Sequence, residues 1–148
     1  MTPRMDLSTV APDGFDAVMQ LERHVRATVD HDLLELVKVR ASMTNRCAFC
    51  VDMHVTDWLA GGEDVRRVVA VAAWRESPFF SPLERAVLAL TDAVTQLGEH
   101  GVDDDTWGAA RGELGEELLA NVVVAIATIN LWNRIAVSTR TPPPPLSR

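Results

Sequence analysis

The stretch that decides how this chain is read is Thr44-Asn45-Arg46-Cys47-Ala48-Phe49-Cys50-Val51-Asp52-Met53-His54. On a helix, at about 100° per residue, Cys50 lies about 300° from Cys47 and His54 about 340°. Two thiols and an imidazole then share a stripe about 60° wide. With Asn45 as N-cap, the helix covers 45–60 and closes at Gly61-Gly62. Cys47 then falls in the first turn, where unsatisfied N–H groups favour a thiolate. That matters because an ordinary thiol, with a pKa near ~8.5, is only a few per cent ionised at neutral pH. His54, four residues after Cys50, is positioned to accept its proton. The second thiol can resolve a sulfenic acid or a mixed disulfide by closing the Cys47–Cys50 bond.

Other uses of a CxxC pair fit less well. Structural zinc normally takes four ligands, and Cys47, Cys50 and His54 make three candidates, so no metal is expected. A thioredoxin-like pair follows a strand in a βαβ unit, and no segment shows sustained period-two alternation. As a structural bridge, a three-residue loop removes little entropy from the unfolded chain.

Outward from this segment the pattern is helical, which predicts an all-α fold of about six or seven helices. Expected helices cover 13–29, 32–43, 45–60, 63–75 and 82–97, the last with Ser81 as N-cap and Pro82 at the first position. A short helix over 103–111 has its aspartates at the positive end, and a long one runs over 116–138. The long helix is apolar nearly all round, so it must be central or covered by another subunit, and a homo-oligomer is expected. Residues 1–12 read as an N-terminal extension, 13–140 as one domain, and 141–148, with four prolines, as an extended tail.

Composition bounds the function. The 148 residues are 47% hydrophobic and 24% charged, enough for one domain with its own core. A net charge of -7, with Lys38 the only lysine, argues against nucleic acid and anionic membrane surfaces. The strongly apolar run Val122 to Ala127 is far short of the ~20 residues of a membrane span. The start, Met1 to Asp6, has no secretory pattern, and a cytoplasmic location is expected. No phosphate-cradling glycine motif or haem motif is present, so no cofactor is expected. His24, His31 and His100 lack any register with the cysteines and read as surface residues, while the four tryptophans read as core or interface.

Glu35, eleven residues, Cys47, two, Cys50, three, His54 resembles the E-x(11)-C-x-x-C-x-x-x-H signature of AhpD-like alkyl hydroperoxidases, in the carboxymuconolactone decarboxylase superfamily. Glu35-Leu36-Val37, Arg40-Ala41-Ser42 and Asn130-Leu131-Trp132-Asn133-Arg134 look right around it. The resemblance, over about Phe15 to Ser138, implies a single-domain all-α bundle, assembly into a homotrimer or homohexamer, and thiol-dependent reduction of hydroperoxides. It also implies that Glu35 and His54 form a proton relay, usually through water, serving the cysteines. Without it, Glu35 reads as half of a solvated pair with Lys38, away from the Leu33, Leu36, Val37 face. The family's best-studied members carry a histidine directly before the second cysteine, and here Phe49 stands there, removing one proton donor. The catalytic residues expected are Cys50, Cys47, His54 and Glu35, with Cys50 attacking a hydroperoxide, Cys47 resolving, and a dithiol reductant or reductase partner restoring the pair. A disulfide reductase or electron-transfer adapter, and a redox-sensing scaffold, are the alternatives.

Overall fold

The computed structural model describes residues 2–146. Among these it holds seven α-helices, one 3-10 turn and no strand, as expected of an all-α chain. The helices are α1 (Leu7–Val10), α2 (Pro12–Thr28), α3 (His31–Thr44), α4 (Ala48–Ala60), α5 (Val65–Ala70), α6 (Pro82–Thr95) and α7 (Asp104–Thr139). The expected extension holds α1 and is tied to the far end of the chain, where Arg4 N–H donates to the Thr139 carbonyl. Residues 141–146 carry no regular structure, while the rest of the proline tail, Ser147 and Arg148, and Met1 lie outside the described residues.

α3 is the axis. One side of it (Leu34, Val37, Ala41) joins Val25 of α2, Val87 and Leu90 of α6, and Val122, Ile126 and Ile129 of α7 in the main core. Its other side (Leu36, Val39) joins Trp58, Val68, Val71, Trp74, Phe80 and Leu88 in a second one. Beyond its exposed first turn the helix is buried on both sides, so Glu35, Lys38 and Ser42, the polar side chains between those stripes, are buried as well. By length and composition α7 could cross a membrane, a longer apolar stretch than the sequence reading allowed. Here Leu119, Val122, Ile126 and Ile129 are core residues, although Leu131 and Val137 remain exposed.

Three boundaries differ from expectation. The helix expected over 63–75 is only α5 plus the 3-10 turn Val71–Ala73. The carbonyls after it are taken by the Arg85 guanidinium, which donates to the oxygens of Trp74, Arg75 and Ser77. The two expected last helices form one element that breaks at Gly115, whose φ of 70° an L side chain adopts only at a cost. The helix carrying the cysteines begins at Ala48, not Asn45.

Candidate active site

That last difference rebuilds the site. Asn45 ends α3 instead of starting α4, and Arg46 takes the left-handed conformation at φ 57°. Arg46 N–H donates to Met43 and Cys47 N–H to Ser42, the paired bonds that finish a helix in a left-handed residue. Cys47 is therefore itself the N-cap of α4, and its Sγ accepts from Cys50 N–H at 3.3 Å. A sulfur in that position receives the partial positive charge of the helix start, so the expected thiolate preference survives by a different route. The Asn45 amide instead donates to Asn130 Oδ1 (2.9 Å) and Asn133 Oδ1 (2.8 Å), and Asn133 donates to Ser42. These bonds pin the α3–α4 turn, and with it the cysteines, onto α7.

Cys47 and Cys50 are joined as a disulfide, with Cα atoms 5.4 Å apart. Both are buried, packed with Ala136 of α7 and against Phe49. One turn on, His54 is also buried, and its Nδ1 lies 2.9 Å from Glu35 Oε2. All four expected site residues are thus in one neighbourhood, and the Glu35–His54 contact is direct where the resemblance implies a water between them. With Glu35 as carboxylate, Nδ1 donates, and Nε2 is left as the basic nitrogen.

The solvated Glu35–Lys38 pair is overturned: both side chains are wholly buried. Lys38 Nζ donates to Glu22 Oε1 at 2.6 Å and stands 3.9 Å from Glu35 Oε1. Arg26 Nε donates to the same Glu22 oxygen at 2.7 Å. Arg26, Glu22, Lys38 and Glu35 carry two charges of each sign, so a proton passed from Cys50 to His54 creates one further balanced pair in a buried setting. Burial raises the Glu22 pKa, but hydrogen bonding and attraction from Lys38, then from Arg26, outweigh it and hold that carboxyl below its ordinary value. Glu22 and Lys38 escaped the sequence reading as site residues. A signal for Glu22 existed: it interrupts the apolar stripe Phe15, Val18, Met19, Val25 of α2 at helical spacing.

A cavity of about 380 Å³ opens onto Cys50 and His54. Its walls are Phe15, Met19, Phe49, Met53 and Trp132, with Glu22 and Arg26 as further polar lining. Phe15 and Trp132 meet edge to face at 5.6 Å, so α2 and α7 close it together. Among the described residues no group of three or more His, Cys, Asp or Glu is arranged to hold a metal. His24, His31 and His100 are exposed, as are Trp107 and half-buried Trp132 in part, while Trp58 and Trp74 are core.

Fold and site together define a class: all-α bundles carrying a CxxC pair at a helix start, with a buried Glu–His pair behind it. The chain belongs to the carboxymuconolactone decarboxylase family, whose model matches residues 12–93, and to its AhpD-like branch. It is 34% identical over 139 residues to the uncharacterized protein YdfG of Bacillus subtilis (strain 168), covering 93% of this chain and 95% of that one. A crystal structure from Agrobacterium tumefaciens, a protein of unknown function provisionally assigned to antioxidant defence as an AhpD, superposes with a TM-score of 0.95 at 40% identity. That match covers 98% of this chain and all of the other. The debrominase Bmp8, solved with 2,3,4-tribromopyrrole, shares the fold at TM-score 0.79 and 20% identity, over 88% of this chain and 70% of that one.

Proposed function

We propose that the protein is a cytoplasmic thiol-dependent peroxidase, working as a homo-oligomer. The observation that carries this reading is the Glu35–His54 contact behind Cys50, at the floor of a cavity lined by Cys50 and His54. In the reduced enzyme His54 Nε2 takes the Cys50 proton, and the thiolate attacks the terminal oxygen of a hydroperoxide. The O–O bond breaks, the S–OH bond forms, and the alkoxide leaves with the proton from His54 as an alcohol. Cys47 then attacks the sulfenic sulfur, giving the disulfide and water. Two electrons and two protons from a dithiol reductant restore the pair.

Peroxide consumption with a small dithiol donor tests this in the wild type and in each cysteine variant. The wild type should turn over, and Cys47→Ser should accumulate sulfenic acid at Cys50 that a dimedone-type reagent captures. Capture only at Cys47, in Cys50→Ser, reverses the two roles. Fast disulfide exchange with negligible peroxide turnover would replace the peroxidase by an electron-transfer adapter. The aromatic, apolar cavity walls favour organic over inorganic hydroperoxides, so cumene hydroperoxide should outpace hydrogen peroxide in kcat/KM.

A further inference from the structure

Cys47 and Cys50 share a bond but not an opening. Cys50 lines the cavity with His54, and Cys47 does not. Cys47 instead lines a separate basin of about 360 Å³, between the start of α4 and the end of α7. Arg46 and Arg140 bound it, with Pro142 and Pro143 as a further wall. Both arginines are exposed, and each sits in the left-handed residue that ends its helix, α3 and α7 respectively. Among the described residues neither guanidinium has a hydrogen-bond or ion-pair partner, whereas Arg26, Arg40, Arg67 and Arg85 are all engaged. Among the described residues no carboxylate lines the basin, and Asp52 is the one acid of the adjoining hollow over Met43 and Val51. On a chain of net charge -7, this is a local positive site beside a redox sulfur.

We propose that this basin receives the reductant, that its ligand is a small thiol bearing a carboxylate, and that Cys47 Sγ is the sulfur attacked. The inference rests on the redox reading above. The reductant thiolate forms a bond to Cys47 Sγ, the Cys47–Cys50 bond breaks, and Cys50 leaves as a thiolate beside His54. The carboxylate meanwhile pairs with Arg46 and Arg140. A second thiolate of the reductant then attacks the reductant's own sulfur in the mixed disulfide. Cys47 leaves as a thiolate held by Cys50 N–H, and the reductant departs as its disulfide. Two electrons enter, and the two thiol protons of the reductant end on the cysteines. Each departing sulfur is one the fold stabilises, which is what speeds exchange. Peroxide and reductant thus reach the same pair from different sides.

The test uses the oxidised full chain with two probes, 3-mercaptopropionate and 2-mercaptoethanol. Exchange is quenched with iodoacetamide and the peptides are sequenced by mass spectrometry. The expected product carries the probe on Cys47 and the alkyl group on Cys50. Per thiolate, the carboxylate probe should react about fivefold to tenfold faster, with the advantage shrinking as salt is added. In the double variant Arg46→Asn, Arg140→Asn, which accepts the left-handed backbone, the ratio of the two rates should fall to one or below. A ratio is insensitive to a general loss of folded protein. The probe on Cys50, or equal rates in the wild type, overturns the proposal. No peroxide enters this assay, so a chain that is selective here but inert to hydroperoxides fails the peroxidase reading and keeps the docking site.

Discussion

α3 carries two buried charge clusters built on opposite plans. Around Arg40 everything is matched: Asp92 accepts from Arg40 Nε (2.5 Å) and Nη2 (3.0 Å), from Arg75 (2.9 Å) and from Trp74 Nε1 (3.2 Å), and Arg40 Nη1 reaches the Val71 carbonyl. Around Lys38 the match is incomplete: the ammonium stands between two carboxylates, Arg26 pairs only with Glu22, and among the described residues Glu22 Oε2 and Glu35 Oε1 have no hydrogen-bond partner. A buried oxygen without a partner costs about 1–3 kcal/mol, so a cluster selected only for stability would close like the first. The first cluster clamps α3 to α6, and the second holds groups able to exchange a proton.

That contrast is broken most sharply by Glu35→Gln. The amide keeps the shape and removes the charge that holds the His54 proton on Nδ1. Peroxide turnover should fall by about 10²- to 10⁴-fold. Steady-state kinetics on protein confirmed as folded by circular dichroism check this, and turnover kept within about threefold of wild type would make the Glu35 cluster as structural as its neighbour.

Asp92→Ala attacks the other cluster. It leaves Arg40 Nε and Nη2 and the Trp74 indole N–H without their acceptor, a change of the kind that costs about 3–5 kcal/mol. For a chain of this size the melting temperature should drop by about 10 °C. Turnover per folded molecule should stay near wild type, because Asp92 does not reach the cavity. A selective loss of activity at unchanged stability would reverse the assignment of the two clusters.

How much of this was readable beforehand depended on distance along the chain. Cys50 and His54 belong to one helix, so their shared face followed from helical spacing alone. Ser81 and Pro82 opened α6 as expected, in a capping box with Glu84, because the signal is complete within four residues. Glu35 lies 19 residues from His54, and no periodicity links helices that meet only through tertiary packing. The resemblance supplied that pairing, but it did not supply Glu22. The start of α4 was misplaced because Asn45, a good N-cap by type, is claimed by Asn130 and Asn133, more than 80 residues away. A propensity was overruled by contacts that local sequence does not record.

A smaller effect sharpens the picture of the Lys38 cluster. The Glu22 carboxyl is held below its ordinary value of 4.5, so the folded state binds this proton less readily than the unfolded chain. Its stabilising contribution is complete above the unfolded pKa and is lost as pH falls through the folded one. Between neutral pH and about pH 3, the wild-type melting temperature should fall more steeply than that of Glu22→Gln, which has no such group to protonate. Parallel melting curves across that range would mean that Lys38 and Arg26 confer no pH-dependent stability through Glu22.

The smallest expected effect concerns how α3 and α4, the helices on either side of the turn that leads into the cysteines, are finished. α4 stops through Gly62 at φ 103°, with Gly62 N–H donating to Leu59 and Glu63 N–H to Trp58. α3 stops by the same bond pattern but through Arg46. A left-handed arginine costs about 1–2 kcal/mol, where glycine costs about 0.5–1 kcal/mol in lost chain freedom. Arg46→Gly should therefore raise stability by up to about 1 kcal/mol, a rise of about 2–4 °C in melting temperature. If it does, the strain at Arg46 is not repaid by packing, and its exposed charge beside Cys47 is the remaining reason to place an arginine where the backbone asks for glycine. A melting temperature lowered by several degrees would instead show the Arg46 side chain holding the turn, and the two helix ends would then differ in structure alone.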